Sequence, residues 1–323
     1  MKLTIVMYHY VRDVLQSSYP NIKALALDEF YQQLDYIGKH YTVVRMEDVL
    51  LATEKKFVLP KNALLLTFDD GYRDHYQTVF PELKKRGWQG SFFPTALTLF
   101  ERRVLNVNKI QFVVSVCNSA KELVRLLLEK MDKARQEYQL LSDEEYFAQH
   151  AQSGRYDEAE IMFFKRMLQH VLPSKLRSKI TDELFREFVS DDETNFSEQL
   201  YLSISELIEM RKAGMFVGGH GYNHIFLSAL SPKQQEQEIS ASLKVLSRVG
   251  SPTDNWVLCY PYGMYDQAFV SVLKKRGCRL GLTLKVGVAD LDADSLLELP
   301  RLDTNDLPKD RTAPPSVWTT QIA

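Results

Sequence analysis

The chain has 323 residues, of which 45% are hydrophobic and 25% are charged, as expected of a globular enzyme with a large core. Its formal net charge of −2 gives no basis for attraction to a polyanion, so we do not expect a nucleic-acid partner. The three cysteines have no C-x-x-C spacing, which is typical of reduced thiols. No apolar run approaches the roughly 20 residues of a membrane span, and the apolar N-terminus is too short for a signal peptide, so a cytoplasmic protein is expected.

Apolar runs alternate with helical patterns over the first hundred residues, which predicts an α/β fold with a mostly parallel sheet. One helix is predicted at 29–39 with Asp28 as its N-cap, and another follows Asp74 and ends at Arg86, before a glycine at the C-cap. The run at 63–68 is continuously apolar, as in a strand that is buried on both faces. The predicted strands of this half are 3–7, 41–44, 63–68 and 90–95.

The alternation stops between residues 101 and 200, where the pattern predicts helices without intervening strands. About a hundred residues is near the size of a small domain. We therefore predict a helical insertion or cap over residues 101–200. Its helices are expected at 120–138, 143–149, 157–171 and 174–189.

The alternation of strands and helices resumes after the insertion and continues to about residue 302. About eight strands in this alternation predict a (β/α) barrel formed by residues 1–100 and 201–307, followed by an irregular tail at 308–323. The predicted elements of this half are helices 205–213, 232–249 and 266–276 and strands 215–219, 255–259, 279–284 and 297–302.

Three short motifs follow the ends of predicted strands, where the active site of a (β/α) barrel lies. An Asp pair after an apolar run, together with a later His-x-x-x-His, can bind a divalent ion and leave one carboxylate to accept a proton from water. In the third motif Pro261 fixes φ, and the N–H of Tyr262 can donate to a developing oxyanion. The motifs are Thr67-Phe68-Asp69-Asp70-Gly71, His220-Gly221-Tyr222-Asn223-His224 and Tyr260-Pro261-Tyr262-Gly263.

Each motif also has a purely structural interpretation. Asp-Asp-Gly is ordinary turn chemistry, a lone histidine is more often a hydrogen-bonded core residue, and the tyrosine-proline run can be only a turn. Taken together in this order, the three motifs favour a metal site instead. Two of only seven histidines, His220 and His224, stand at ligand spacing beside the glycine pair Gly218-Gly219.

In this order on a (β/α) barrel, the three motifs resemble those of the polysaccharide deacetylase (NodB-homology) family, also called carbohydrate esterase family four. The resemblance covers residues 1–100 and 201–305. It implies a distorted (β/α) barrel that removes acetyl groups from N-acetylated sugars. It also implies a divalent metal cofactor, for which we expect zinc ahead of cobalt or nickel.

The resemblance implies a role for each matching residue. Asp69 would be the general base, and the backbone N–H of Tyr262 would belong to the oxyanion hole. The three metal ligands would be Asp70, His220 and His224. All five residues belong to the three motifs, so their expected roles depend on the barrel bringing the motifs together.

Two residues of the family pattern are missing from this chain. Cys259 stands where the family usually has the arginine that orients the base, and no histidine follows His224 to supply the late general acid. We expect Arg301, at the end of the last predicted strand, to pair with Asp69 instead. We expect His9, at the end of the first strand, to face the site as the acid. The simpler alternatives are a salt bridge at the barrel rim and a histidine that only forms a hydrogen bond at the barrel mouth.

Together with the resemblance, these residues predict a metal-dependent hydrolase that removes an N-acyl group, most simply acetyl, from an amino sugar or glycan intermediate. An alternative with the same fold is a deformylase or another amide hydrolase. An alternative of a different class is a carbohydrate-binding protein that has lost turnover. The missing arginine and late histidine favour that alternative, whereas the intact Asp pair and His-x-x-x-His disfavour it. In each case the expected partner is a sugar or glycan, with no nucleic acid and no membrane span.

Overall fold

The computed structural model describes residues 1–117 and 119–321, which form two compact units. The first unit contains Met1–Asp13, Ala24–Arg102 and the chain from Ser197 onward. The second contains Val14–Lys23 and Arg103–Phe196. The short segment Val14–Lys23, for which the sequence predicts a place in the barrel, therefore belongs with the helical part of the chain.

The first unit is built around a mostly parallel sheet. The strands of the described residues are β1 (Lys2–Tyr8), β2 (Val11–Arg12), β3 (Leu25–Ala26), β4 (Thr42–Val43), β5 (Ala63–Asp70), β6 (Gly90–Pro94), β7 (Phe216–Val217), β8 (Trp256–Cys259), β9 (Cys278–Val286), β10 (Ala289–Asp290) and β11 (Leu299–Asp303). Seven of them follow the order β7-β6-β5-β1-β11-β9-β8, and each neighbouring pair is parallel. In addition, β4 pairs with β5, β10 lies antiparallel to β1, and β2 pairs with β3 in a small separate sheet.

The two ends of this path meet, so the sheet closes on itself. Just beyond β7, Gly219 donates its N–H to the carbonyl of Val257 at 2.9 Å, and Cys259 donates to the carbonyl of Gly219 at 3.0 Å. The closure is a single bridge next to a two-residue strand, which makes the ring irregular. The predicted α/β fold, a distorted (β/α) barrel, is confirmed, with seven strands in the described ring instead of about eight.

Several helices of the barrel unit differ from the predicted ones. Asp28 lies in the first turn of helix Leu27–His40 and is not its N-cap, because Ala26 at the end of β3 occupies that position. Three short helices were not predicted, because they are too short to show a clear helical period. They are Met46–Thr53, Ala96–Glu101 and, in the tail predicted to be irregular, Val317–Thr320. Other helical segments of this unit are the π-helical turn His75–Val79 with Phe80–Arg86 after it, Ile204–Lys212, Pro232–Val249 and Gln267–Lys275.

The second unit is helical and has its own apolar core. Helix Asn106–Val116 escapes prediction because Leu105, at its N-cap, supplies no side-chain cap. On that helix the buried ammonium of Lys109 lies 2.6 Å from Asp182 and 2.8 Å from Glu193, so this cation is paired. The other helices between residues 118 and 201 are Ala120–Tyr138, Asp143–His150, Ala159–Arg166 with its π-helical continuation Met167–Val171, Ser174–Phe188 and the also unpredicted Glu193–Leu200. In the described part of the chain, no helix combines the length and apolarity that crossing a bilayer requires.

Alternation of side chains along β5 and β11 decides which residues face the inside of the barrel. Leu65 on β5 belongs to the cluster that joins strands across the barrel, whereas Phe68 belongs to the cluster between the sheet and its helices. Asp69 is four residues after Leu65 and therefore faces inward. On β11, Arg301 follows Leu299 of the inner cluster by two residues and also faces inward. The oppositely charged side chains of Asp69 and Arg301 thus both point into one end of the apolar barrel.

Candidate active site

Asp69 and Arg301 form a buried ion pair with two contacts. Arg301 donates from Nη1 to Asp69 Oδ1 at 3.0 Å and from Nη2 to Asp69 Oδ2 at 2.8 Å, and neither side chain is more than 2% exposed. Arg301 also donates from Nε to the carbonyl of Thr283 at 2.9 Å and from Nη1 to Thr67 Oγ1 at 3.2 Å. These contacts hold the guanidinium in one orientation, and the guanidinium in turn fixes the plane of the carboxylate. The structure therefore places Arg301 against Asp69 and not at the barrel rim.

The guanidinium lies beside the position where the family pattern has its arginine. Cys259 is fully buried there, and its Sγ accepts a hydrogen bond from Arg301 Nη1 at 3.3 Å. Burial raises the pKa of the Cys259 thiol well above its usual range, so the thiol is neutral. Burial also opposes ionisation of Asp69, but Arg301 and, after it, His220 outweigh burial and lower the pKa of Asp69 to about 2. Asp69 is therefore a carboxylate at neutral pH.

We expect Arg301→Met to lower the free energy of unfolding by about 3–5 kcal/mol, because loss of one member of a buried ion pair leaves the charge of Asp69 uncompensated. Urea unfolding measures this change. The control is Arg86→Met, because Arg86 pairs with Asp35 at 2.7 Å and with Glu82 at 2.8 Å nearer the surface. It should cost no more than about 1 kcal/mol. Equal losses in the two variants would contradict the assignment of a structurally important buried pair.

Asp70, His220 and His224 converge on one point. One ligand atom from each side chain lies within 4.8 Å of the other two, and all three residues are buried. Asp70 Oδ1 lies 3.2 Å from His220 Nε2 and 3.5 Å from His224 Nε2. Within residues 1–117 and 119–321, neither Asp70 Oδ1 nor His220 Nε2 has a partner with hydrogen-bond geometry. Buried polar atoms left in this way fit a divalent ion, since a carboxylate with two imidazoles is a ligand set of catalytic zinc sites.

The electrostatics of this cluster favour a bound cation. Burial opposes a charge on Asp70, but His224 and then His220 outweigh it and hold the pKa of the Asp70 carboxyl far below its usual range. For His224, burial dominates and lowers the pKa to about 4, so the imidazole is neutral, as ligation requires. For His220, burial is outweighed by the adjacent carboxylates of Asp70 and Asp69, which raise its pKa. The carboxylates therefore attract positive charge to this point.

The closure of the barrel also orients His220. The imidazole Nδ1 donates to the carbonyl of Cys259 at 2.8 Å, which leaves Nε2 as the nitrogen that faces Asp70. Histidines that bind metals are commonly fixed in one tautomer by such a bond. Cys259 is on β8, which meets the chain just beyond β7 at Gly219. The pairing of Gly219 with β8, which closes the sheet, therefore also orients the imidazole of His220.

The loop between the two histidines is held by polar side chains of helix Pro232–Val249. Gly221 donates its N–H to Ser242 Oγ at 2.9 Å, and Tyr222 donates its N–H to Glu238 Oε2. Gly221 has a φ of 75°, and a Cβ at this position would lie 2.7 Å from Glu238 Oε2. The sequence motifs do not include Glu238 or Ser242. A usable signal exists, however, because both lie on the buried face of an amphipathic helix at i and i+4, where polar residues are unusual.

Three residues of the site have a left-handed backbone conformation. Eight non-glycine residues of the described chain have positive φ, and three of them are Asp70 at 70°, His224 at 53° and Tyr262 at 56°. This conformation is unfavourable for side chains that carry a Cβ and tends to persist only where a function or dense packing requires it. Because all three residues come from the sequence motifs, the strain supports a functional site over three unrelated turns.

The third motif forms a wall beside the histidines. The ring of Tyr262 lies 4.5 Å from that of His224 and 4.7 Å from that of Phe226, measured between centroids. Its backbone belongs to the turn Pro261–Gly263. The turn interpretation therefore describes the backbone, and the ring of Tyr262 connects this turn to the cluster of Asp70, His220 and His224.

His9 directly follows β1 and is partly buried. Its carbonyl is hydrogen-bonded to Nε2 of His75 at 2.8 Å. After other groups, His9 also contributes to lowering the pKa of both Asp69 and Asp70. With His9, the structure brings all seven predicted site residues to one end of the barrel.

Tyr72 contacts this cluster but is not singled out by the sequence motifs. Its hydroxyl donates to Asp70 Oδ2 at 2.6 Å. Gly71 makes this return of the chain possible, because its φ is 72° and a Cβ there would lie 2.7 Å from Pro94 Cβ. The only available signal is a tyrosine that immediately follows the Asp-Asp-Gly turn.

Comparison with known sequences identifies the family. The family model for polysaccharide deacetylases matches residues 58–155 and 190–281, more than half of the chain. The Bacillus subtilis (strain 168) protein YxkH, whose name places it among the polysaccharide deacetylases, is 27% identical over 92 residues. That alignment spans 28% of this chain and 33% of YxkH, so the similarity to this relative is confined to about a third of its length.

Solved structures share the whole fold. The Streptococcus pyogenes deacetylase PplD, in complex with acetate, has a TM-score of 0.59 at 20% identity, with 96% of each chain covered. A de-N-acetylase from Aggregatibacter actinomycetemcomitans has a TM-score of 0.54 at 15% identity, with 97% of each chain covered. IcaB from Ammonifex degensii has a TM-score of 0.52 at 20% identity, covering 93% of this chain and 91% of IcaB. Since the family model spans more than half of the sequence and the fold agrees with it, this chain belongs to the polysaccharide deacetylase family.

Proposed function

We propose that this chain is a metal-dependent amide hydrolase that removes an N-acetyl group from an amino sugar or glycan. The observation that carries the proposal is the cluster of Asp70, His220 and His224 beside a second buried carboxylate, Asp69. Two ionised acids in one buried site are costly unless each is paired or coordinated. Arg301 pairs with Asp69, and a divalent ion would play the corresponding part for Asp70.

The proposed ligands of this ion are Asp70, His220 and His224. Zinc is expected ahead of cobalt or nickel, and such an ion would polarise the acyl carbonyl and activate water. Three protein ligands leave positions open, as in catalytic rather than structural sites. The strained backbone at Asp70 and His224 agrees with a ligand geometry that the fold maintains at some cost.

Asp69 is proposed to accept the proton of the attacking water. Each carboxylate oxygen has two acceptor positions, so both oxygens can receive Arg301 and still accept from water on the open side. Arg301 keeps Asp69 ionised and fixes its plane, which restricts the direction from which water can approach. Arg301 is thus proposed as the residue that orients the base.

The remaining steps of amide hydrolysis need an oxyanion donor and an acid. The backbone N–H of Tyr262 is proposed to donate to the carbonyl oxygen as it gains negative charge. His9 is proposed to protonate the leaving amine. It directly follows β1, which lies between β5 with Asp69 and β11 with Arg301. The acid and the base therefore come from adjacent strands.

Turnover of a panel of N-acetyl and N-formyl sugars, with added zinc or cobalt, tests the proposal by mass spectrometry of the products. We expect free amine and acetate, and we expect a chelator to abolish their release. Formate from the N-formyl sugars alone would favour the deformylase alternative. A metal-loaded protein that binds the sugars without turning them over would contradict the proposal and support a carbohydrate-binding protein.

His9→Gln should lower turnover by about 10²-fold or more, as expected when a general acid is removed. Metal content should stay the same, because His9 is not among the proposed ligands. Steady-state kinetics and metal analysis of the same preparation give both values. The control is His40→Gln, at the end of helix Leu27–His40, which should change neither. Equal losses of metal and turnover in His9→Gln would instead assign His9 a structural role.

A further inference from the structure

We infer that Tyr72 is a positioning residue that restricts Asp70 to a single-oxygen contact with the divalent ion. The inference rests on the proposed metal-dependent function and goes beyond it by assigning a role to a residue outside the ligand set. It concerns which oxygen of Asp70 is available and how tightly that oxygen is held.

The two oxygens of Asp70 have different surroundings. Oδ2 accepts the hydroxyl of Tyr72 at 2.6 Å, a short contact typical of a hydroxyl bound to an ionised acid. Oδ1 faces His220 Nε2 at 3.2 Å and His224 Nε2 at 3.5 Å. Oδ1 is therefore the oxygen that the structure places against both imidazoles, whereas Oδ2 is placed against the hydroxyl of Tyr72. A carboxylate that is free to rotate could present both oxygens to an ion, and the hydroxyl of Tyr72 prevents this rotation.

The ring of Tyr72 is itself held by a stack of side chains. It lies 3.9 Å from the ring of Tyr10 at an interplanar angle of 24°, and 5.9 Å from the ring of Tyr201 at 15°. The guanidinium of Arg12 lies 4.5 Å from the centroid of Tyr10, and Arg12 also pairs with Asp74 at 2.7 Å. The hydroxyl thus projects from a fully buried, packed ring and not from a mobile side chain.

The backbone on either side of Tyr72 is also tied down. Tyr72 and Tyr201 form an antiparallel bridge, in which Leu202 donates to the carbonyl of Gly71 at 2.9 Å and Arg73 donates to that of Leu200 at 2.8 Å. A phenylalanine at this position could make the same ring contacts with Tyr10 and Tyr201. The hydroxyl distinguishes tyrosine from phenylalanine at this position. It donates to Asp70, a proposed metal ligand, and is also hydrogen-bonded to the side chain of Tyr10.

The test is Tyr72→Phe, which keeps the stacked ring and removes only the hydroxyl. The matched control is Tyr36→Phe, because Tyr36 is also fully buried and its hydroxyl lies 2.9 Å from Ser316 N and 3.0 Å from Thr319 Oγ1. Affinity for Zn²⁺ and Co²⁺ is measured by competition with a chromophoric chelator. The visible absorption of the Co²⁺ forms is then compared, since its intensity and position respond to the number of ligand atoms. Thermal unfolding without metal reports folding.

We expect Tyr72→Phe to bind both ions about 10–100-fold more weakly, the usual cost of removing a partner that orients a ligand. Its Co²⁺ spectrum should shift toward a higher coordination number, whereas Tyr36→Phe should match the wild type in affinity and spectrum. Wild-type affinity and spectrum in Tyr72→Phe would overturn the inference and leave the proposed function standing. Equal weakening in both variants would also overturn it, because the effect would then reflect general destabilisation. A wild-type protein that binds neither ion would overturn the proposed function and this inference with it.

Discussion

Asp69→Asn is expected to lower the turnover of an N-acetylated sugar by about 10²–10⁴-fold, the usual cost of removing a general base. The amide is not a base at neutral pH, yet it has nearly the same size as the carboxylate and can accept one hydrogen bond from Arg301. Metal content should persist, because Asp69 is not a proposed ligand. The free energy of unfolding should fall, as in Arg301→Met, because the buried charge of Arg301 loses its partner. Steady-state kinetics of the metal-loaded protein, with metal analysis of the same sample, separate catalysis from ligation.

The control for this variant is Asp35→Asn, which removes a carboxylate that also pairs with an arginine, Arg86, at 2.7 Å but is partly exposed. Its turnover should equal that of the wild type. Intact-mass analysis must show that the introduced amide has not deamidated, because a small restored fraction of Asp69 would dominate the residual rate. Near-normal turnover by Asp69→Asn protein that has not deamidated would show that another group acts as the base.

His224→Ala is expected to remove both the bound metal and the activity. Changes in residues that only support metal ligands already cost about 10–100-fold in affinity, so loss of a ligand should cost more than about 100-fold. Thermal unfolding gives a readout independent of turnover. A bound ion at 100 times its dissociation constant adds about 2.7 kcal/mol to the free energy of unfolding of the wild type, and His224→Ala should lose this gain.

The companion variant His220→Ala should behave in the same way, because His220 and His224 lie at similar distances from Asp70 Oδ1, 3.2 and 3.5 Å. His40→Gln serves again as the control, since it removes an imidazole from the same unit without changing a proposed ligand. Full metal occupancy and normal turnover in His224→Ala would contradict the ligand assignment and the proposed metal dependence.

Local sequence patterns were sufficient to predict most of the barrel. The mainly apolar run at 63–68 forms most of β5, and helix Pro232–Val249 has the bounds that its pattern predicts. The signals failed for short helices such as Met46–Thr53 and Ala96–Glu101, where the helical period repeats too few times to be read. They also failed at Asp28, because the cap position depends on where the preceding strand β3 ends.

By itself, the sequence indicated that the three motifs lie at strand ends and that two acids and two histidines are available there. In the structure β5 extends two residues further than predicted and includes Asp69 and Asp70. Parallel strands bring their carboxyl ends to one edge, so this much follows from the order of elements. It also indicated Arg301 as a partner for Asp69, because the last strand of a barrel closes near the first. The contact itself joins residues 232 positions apart, and only the pairing of β1 with both β5 and β11 sets its geometry.

Only the tertiary structure decided how the site residues are held. Tyr72 meets Asp70 because of a left-handed turn at Gly71, and Glu238 supports the histidine loop from a helix that follows it in the chain. The orientation of the His220 imidazole depends on the carbonyl of Cys259 on β8. The bridge between Gly219 and Leu258, which closes the sheet, brings this carbonyl into place. Such contacts arise between segments that are distant in the chain, and each depends on side-chain direction and strand register. A period of two or 3.6 residues carries information about which face of its own element a residue occupies, and none about what lies opposite that face.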